Sequence, residues 1–230
     1  MPDQIDTALI TFRPAARLQE SLLSPLEKKV LVAMAARVPR RINSDHLTLL
    51  GFFGMALAGG CYVYSKWHPL ALIGAAACLA VNWLGDSLDG TLARVRNRQR
   101  HRYGFYVDHI VDAFGALFLI GGLGLSGYMT GTVALILIIA YFLLVIELYL
   151  ATYAVGVFRL SFGVLGPTEF RIVVALGTLV LLKKSVVGIG AGKYLLCDVA
   201  GVVTIVILTL FTIYSALQNT VRLYRHEQLS

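Results

Sequence analysis

Four aspartates dominate the chemistry available to this 230-residue chain. Asp86 and Asp89 are three residues apart, Asp108 and Asp112 four apart, and both pairs sit in otherwise apolar sequence. In a helix, Asp86, Asp89 and Ala93 fall at i, i+3 and i+7, and Gly104, Asp108 and Asp112 at successive i+4 steps, so each set occupies one face. Two adjacent antiparallel helices would aim all four carboxylates into one pocket. A carboxylate at a bilayer centre costs on the order of 2.5 to 3.5 kcal/mol, less near the interface. Four together repel and raise one another's pKa unless cations lie between them. Hard divalent ions with oxygen ligands, Mg²⁺ or Mn²⁺, fit that requirement. Gly90, Ala93 and Gly104 leave room beside the carboxylates for a ligand or a close backbone, and Arg94 is placed to pair with a diphosphate.

The elements that must hold these residues are membrane helices. The chain is 57% hydrophobic and 14% charged, with a mean hydropathy of +0.74, far from the globular average. Stretches near the ~20 residues that cross a bilayer predict six spans: Leu47 to Ser65, Pro69 to about Ala93, Phe105 to Met129, Thr132 to Val157, Thr168 to about Val187, and Val199 to Leu217. The fifth has a short uncharged core between Arg171 and Lys183, so it crosses only if Arg171 lines a cavity or the inner interface and Lys183 and Lys184 snorkel outward. With six spans both termini share a side. Of the 20 Lys+Arg, only Lys66, Lys183, Lys184 and Lys193 fall on the opposite side, which makes the termini and the Arg94–Arg102 loop cytoplasmic. The formal net charge of +7 then reflects topology and anionic lipid rather than nucleic acid.

The polar start, Met-Pro-Asp-Gln-Ile-Asp, has no basic or apolar region behind it, and no cleavable signal peptide is expected. Ser24-Pro25-Leu26-Glu27 reads as a helix start with a serine cap, a proline at the first position and a capping-box glutamate. The helix predicted from Pro25 to Val38 places Leu26, Val30, Ala33 and Met34 on one face, with Glu27, Lys28 and Arg37 elsewhere, as for an amphipathic helix resting in the cytoplasmic interface. The expected organisation is a cytoplasmic segment over 1–46, a six-helix all-α catalytic domain over 47–219 and a cytoplasmic tail over 220–230. No internal repeat suggests a transporter of two similar halves. Cys61, Cys78 and Cys197 follow no disulfide or zinc pattern.

The string Asp86-x2-Asp89-Gly90-x2-Ala93-Arg94-x9-Gly104-x3-Asp108-x3-Asp112 closely resembles the signature of the CDP-alcohol phosphotransferases, integral membrane enzymes with a six-helix core that make phospholipids. All eight fixed positions match. The resemblance implies two divalent cations held by Asp86, Asp89, Asp108 and Asp112, with Asp112 also the general base. It implies a CDP-donor site at Gly90, Ala93, Arg94 and Gly104. Asn43 and Leu47-Thr48 resemble the family's entry into its first span, and Pro167-Thr168-Glu169-x-Arg171 the polar start of its fifth, so Thr48 is placed with the donor and Arg171 with the acceptor. A homodimer is a further implication.

The implied reaction moves a substituted phosphate from a CDP-linked donor, CDP-diacylglycerol for preference, to an acceptor alcohol with release of CMP. A two-metal clamp supplies what attack at the donor's β-phosphorus needs. A prenyltransferase, which can use Asn82 to Asp86 as an Asn-x3-Asp pattern, and a cation transporter are the alternatives. The Arg94 to Arg102 run reads mainly as a topology marker, and alternatively as a basic wall for phosphate. His109 is expected to pack or orient, Glu147 to find its partner on another helix, Asp198 to be a solvated helix-end charge, and Asn82 to support the metal ligands.

Overall fold

The computed structural model describes residues 16–18, 24–159 and 166–227; the polar start Met1 to Asp6 and Arg13 lie outside them. Seven helices follow in order: α1 (Ser24–Arg37), α2 (Ser44–Tyr64), α3 (Ala71–Val95), α4 (His101–Ser126), α5 (Gly131–Val155), α6 (Pro167–Val180) and α7 (Leu196–His226). Strand β1 (Ala16–Leu18) pairs in parallel with β2 (Val157–Arg159), and β3 (Val186–Ile189) forms an antiparallel hairpin with β4 (Gly192–Leu195). The architecture is all-α apart from these short pairings.

Five helices, α2, α3, α4, α5 and α7, are long and apolar enough to cross a membrane. The expected fifth span is helical for only 14 residues, fewer than the ~20 that cross a bilayer, and a turn and the start of the β3–β4 hairpin replace its last third. Contacts near its two ends tie α6 to different parts of the bundle. Near its start, Thr168 Oγ1 donates to Glu27 of α1 at 2.8 Å; near its end, Thr178 and Tyr62 of α2 share a 2.5 Å hydrogen bond, and Leu181 packs with Tyr62, Leu72 and Ala75. Helix α7 continues as helix to His226, through most of the segment expected to be a tail.

Side chains too small to hold helices apart decide the packing around α2. A Cβ on Gly85 of α3 would lie 2.5 Å from the Gly51 nitrogen and 2.5 Å from the Leu47 carbonyl, and one on Gly54 would lie 2.9 Å from the Asn82 nitrogen. Gly59 of α2 and Gly122 of α4 touch backbone to backbone in the same way. Lipid offers no hydrophobic drive for helix association, so close backbone approach and van der Waals contact must hold these crossings. Helix α2 therefore lies wedged between the two helices that carry the aspartates.

Helix α1 forms where the sequence predicts it, but with a different inward face. Leu31 and Ala35 are buried against Leu47, Leu88 and Leu92, while Val30 and Ala33 are exposed. Glu27, four residues before Leu31, shares the inward face. The cause is polar: its carboxylate meets three donors in the bundle, which outweighs the apolar pattern used to assign the face. Glu147 of α5 finds its partners across the helix interface, accepting from Ser215 Oγ and Asn219 Nδ2 of α7, each at 2.9 Å. Asp198, rather than being only solvated, accepts the Thr130 backbone N–H at 2.7 Å and its hydroxyl at 2.5 Å, tying the start of α7 to the start of α5.

Because only backbone faces Gly85, Gly85→Leu cannot be relieved by a rotamer change, and overpacking of this kind costs about 1 to 3 kcal/mol or more. Thermal unfolding in detergent is expected to show a markedly lower midpoint. Gly60→Ala, where a Cβ meets nothing within 4 Å, is expected to hold or raise it.

Candidate active site

Asp86 and Asp89 lie in the last third of α3, and Asp108 and Asp112 in the first half of α4. The α3–α4 turn folds the two helices back beside α2, and the four carboxylates converge. Together with Thr48, Gly51, Phe52, Asn82 and Val111 they line one small cavity. Its volume, about 10 Å³, admits roughly one water molecule or bare ion and no nucleotide. A larger concavity of about 670 Å³ runs along α7 past Tyr214, Arg222 and His226 and contains none of the aspartates.

Each carboxylate on α3 is held by a neighbour. Thr48 Oγ1 donates to Asp89 Oδ2 at 2.6 Å, and the Gly90 N–H donates to Asp89 Oδ1 at 2.5 Å. Asp89 is only 4% exposed, so these bonds stand in for lost solvent. Arg171 of α6 donates to Asp86 Oδ2 at 2.6 Å, and its charge also acts on Asp112. Of the residues expected at the site, the cavity thus collects Thr48, Asp86, Asp89, Asp108 and Asp112, and Arg171 joins through Asp86. Gly90, Ala93 and Arg94 lie on the next turns of α3 and Gly104 in the first turn of α4, outside the cavity lining. A Cβ on Gly104 would meet nothing within 4 Å, which leaves open space there.

Among the described residues, no three carboxylate, imidazole or thiol groups stand close enough together to enclose a metal ion by themselves. Asp86 is turned to Arg171 and Asp89 to Thr48. The donor set nonetheless fits a hard divalent cation. Four carboxylates surround one cavity with Asn82, whose Oδ1 is buried and meets no hydrogen-bond donor, and an all-oxygen set of this kind suits Mg²⁺ or Mn²⁺.

Several members of the surroundings are visible only in three dimensions. Glu27 Oε1 accepts from Trp83 Nε1 at 2.9 Å, Ser87 Oγ at 3.1 Å and Thr168 Oγ1 at 2.8 Å. One carboxylate oxygen so fastens α1 to α3 beside Asp86 and to α6 beside Arg171. Tyr141 and Tyr149 of α5 lie within electrostatic reach of Asp112. His109 packs against Phe105 and Tyr149, with ring centroids 4.2 and 5.2 Å away, in keeping with a packing role. The arginine loop is partly structural: Arg96 donates to the carbonyls of Ile42, Val38 and Pro39 at 2.6, 2.7 and 3.1 Å. Arg100 pairs with Asp45 and stacks over Tyr103, 4.0 Å from its centroid. Those two are engaged in holding the loop against the start of α2 and do not form a wall facing phosphate.

Removing the Glu27 carboxylate strands three donors. A hydrogen bond to a charged group is worth about 1.5 to 3 kcal/mol, so Glu27→Ala is expected to lower the melting temperature and to shift Trp83 emission. Fluorescence of the detergent-purified variant, against the same variant lacking Trp67, reads both.

Comparison with known proteins agrees with this geometry. The sequence model of the CDP-alcohol phosphatidyltransferase family matches residues 42–214, a stretch that holds every carboxylate of the cavity and Arg171. The archaetidylinositol phosphate synthase of Methanothermobacter thermautotrophicus is 30% identical over 138 residues, which cover 59% of this chain and 61% of that protein. The chain therefore spans about three fifths of the relative's length. Matched over most of its own sequence and carrying five helices able to cross a bilayer, the chain belongs to the CDP-alcohol phosphatidyltransferase family of multi-pass integral membrane proteins.

Proposed function

We propose that the protein transfers a phosphatidyl-type group from a CDP-linked lipid, CDP-diacylglycerol for preference, to an alcohol and releases CMP. The observation that carries this reading is the convergence of Asp86, Asp89, Asp108 and Asp112 on one cavity at one end of the bundle. The acceptor oxygen forms a bond to the donor's β-phosphorus as the bond from that phosphorus to the CMP oxygen breaks. The hydroxyl proton passes to Asp112 Oδ, and CMP leaves with the bonding electrons.

Divalent cations, two by the family resemblance and Mg²⁺ or Mn²⁺ by the oxygen donors, neutralise the diphosphate and the departing CMP when bound. Asp86, Asp89, Asp108 and Asp112 would hold them. Because the cavity is too small for a nucleotide, the donor lies over Gly90, Ala93, Arg94 and Gly104, a reading that the open space at Gly104 supports. Thr48 fixes Asp89 at the donor's edge. Arg171, which pairs with Asp86 across the site, meets the acceptor. The relative's name denotes an inositol phosphate lipid, and a phosphorylated polyol is a natural partner for a guanidinium.

We place six crossings rather than five, with α6 as the sixth, because it reaches from Glu27 to the far cluster around Tyr62 and Leu72. Lys66, Lys183 and Lys184 follow the far ends of α2 and α6, which supports a cytoplasmic site and termini. On this reading α1 rests in the interface with Val30 and Ala33 toward lipid. A homodimer completes the proposal.

The test is CMP release by detergent-purified protein with Mg²⁺ or Mn²⁺, CDP-diacylglycerol and a panel containing glycerol phosphate, inositol phosphate, serine and free inositol. Metal-dependent CMP formation with one acceptor is expected, and no CMP from any pair by folded protein would overturn the reading. Asp112→Asn is expected to cut kcat by roughly 10²- to 10⁴-fold, the usual worth of a general base, while donor binding stays near wild type. Arg171→Gln is expected to raise KM for a phosphorylated acceptor roughly 10- to 100-fold, as loss of a charge-assisted bond implies, and to change KM for an uncharged acceptor little.

A further inference from the structure

Asn82 lies outside the aspartate signature, yet it stands in the cavity. It is on α3 one turn before Asp86, is 3% exposed, and lines the same space as the four carboxylates. One bond fixes its orientation: Nδ2 donates to the Gly51 carbonyl of α2 at 3.0 Å. A carbonyl only accepts, so the amide nitrogen must face Gly51 and Oδ1 must face away from it. That oxygen is fully buried and has no hydrogen-bond donor among the described residues.

A buried acceptor without a partner is destabilising and calls for an explanation. The neighbours in the cavity cannot supply one in their charged state, because ionised carboxylates only accept. The Thr48 hydroxyl is directed to Asp89 at 2.6 Å and to the Ser44 carbonyl at 3.2 Å. The cavity that Asn82 lines has room for a single ion or water molecule to complete it. The backbone around it is closely packed, since α2 and α3 touch at Gly51, Gly54 and Gly85.

We infer that Asn82 Oδ1 is an uncharged oxygen ligand for a divalent cation held together with the motif aspartates, a role that rests on the metal-dependent reading above. An amide oxygen adds a ligand without adding a fifth negative charge to a site already crowded with four. Asparagine carbonyls are ordinary ligands of hard cations. The hydrogen bond to Gly51 holds the oxygen in place before the ion arrives.

The experiment uses the full chain in detergent, without donor or acceptor, and Mn²⁺ as the probe. Free Mn²⁺ is counted by electron paramagnetic resonance, and the melting temperature is compared in EDTA and in Mn²⁺. Asn82→Leu is expected to weaken Mn²⁺ binding roughly 10- to 100-fold and to shrink the rise in melting temperature that Mn²⁺ gives the wild type. Asn82→Ala, which removes the oxygen without adding bulk, is expected to weaken Mn²⁺ binding to a similar degree. A folded Asn82→Leu protein with wild-type Mn²⁺ affinity and a wild-type thermal increment would reduce Asn82 to a helix-packing residue and overturn the inference. So would a folded Asn82→Ala protein with wild-type Mn²⁺ affinity, which decides the matter if the leucine variant does not fold, or wild-type protein that takes up no Mn²⁺. Mn²⁺ uptake that depends on Asn82 in a protein that releases no CMP would instead sink the transfer reaction and leave this ligand standing.

Discussion

Four carboxylates around a cavity with room for one ion are an electrostatic burden that the rest of the fold is arranged to carry. Each repels the others, and three helix packing surfaces limit the water that would screen them. The protein answers with directed partners. Thr48 and the Gly90 N–H hold Asp89, and Arg171 reaches from α6 to Asp86. The arrangement exists only because α3 and α4 can both press against α2, and they can do so because glycine occupies the points of contact. Side chains at Gly51, Gly85, Gly59 or Gly122 would separate the helices and scatter the carboxylates.

Glu27 extends this logic to α1. Its single oxygen gathers donors from α3 and α6, so α1 closes the end of the bundle where the aspartates lie. Trp83 and Ser87 flank Asp86 in sequence, and Thr168 lies three residues before Arg171. Movement of α1 would therefore be felt at both ends of the Asp86–Arg171 pair. At the opposite end, an apolar cluster around Tyr62, Leu72, Ala75 and Leu181 fixes the far ends of α2, α3 and α6. Within the membrane, Glu147 is tolerable because Ser215 and Asn219, four residues apart on one face of α7, both turn to it.

The arrangement also divides labour in a way that bears on catalysis. The small cavity has room for an ion, and beside it the surface at Gly104 is open. The transfer proposed above would use compact charge neutralisation next to room for a diphosphate. The loop arginines contribute less to the site than their number suggests, because Arg96 caps the carbonyls after α1 and Arg100 pairs with Asp45. Arg171 alone brings a guanidinium to the carboxylates from the second half of the chain among the ion pairs described.

The sequence by itself determined the membrane class, because composition and hydropathy report solvent directly. It determined the aspartate cluster too, because i, i+3 and i+4 spacing is a local property of a helix, and the signature string was continuous along the chain. Helix α1, the packing role of His109 and the need for a partner to Glu147 were legible for the same local reasons. Only the tertiary structure decided which face of α1 turns inward, since that depended on donors 56 to 141 residues away. It decided that α6 is helical for only 14 residues, that Asp198 accepts from Thr130, and that Arg171 meets Asp86. It also decided that Asn82 Oδ1 is buried without a hydrogen-bond donor among the described residues, because the direction of an amide is set by its partner, and that partner, the Gly51 carbonyl, is on another helix.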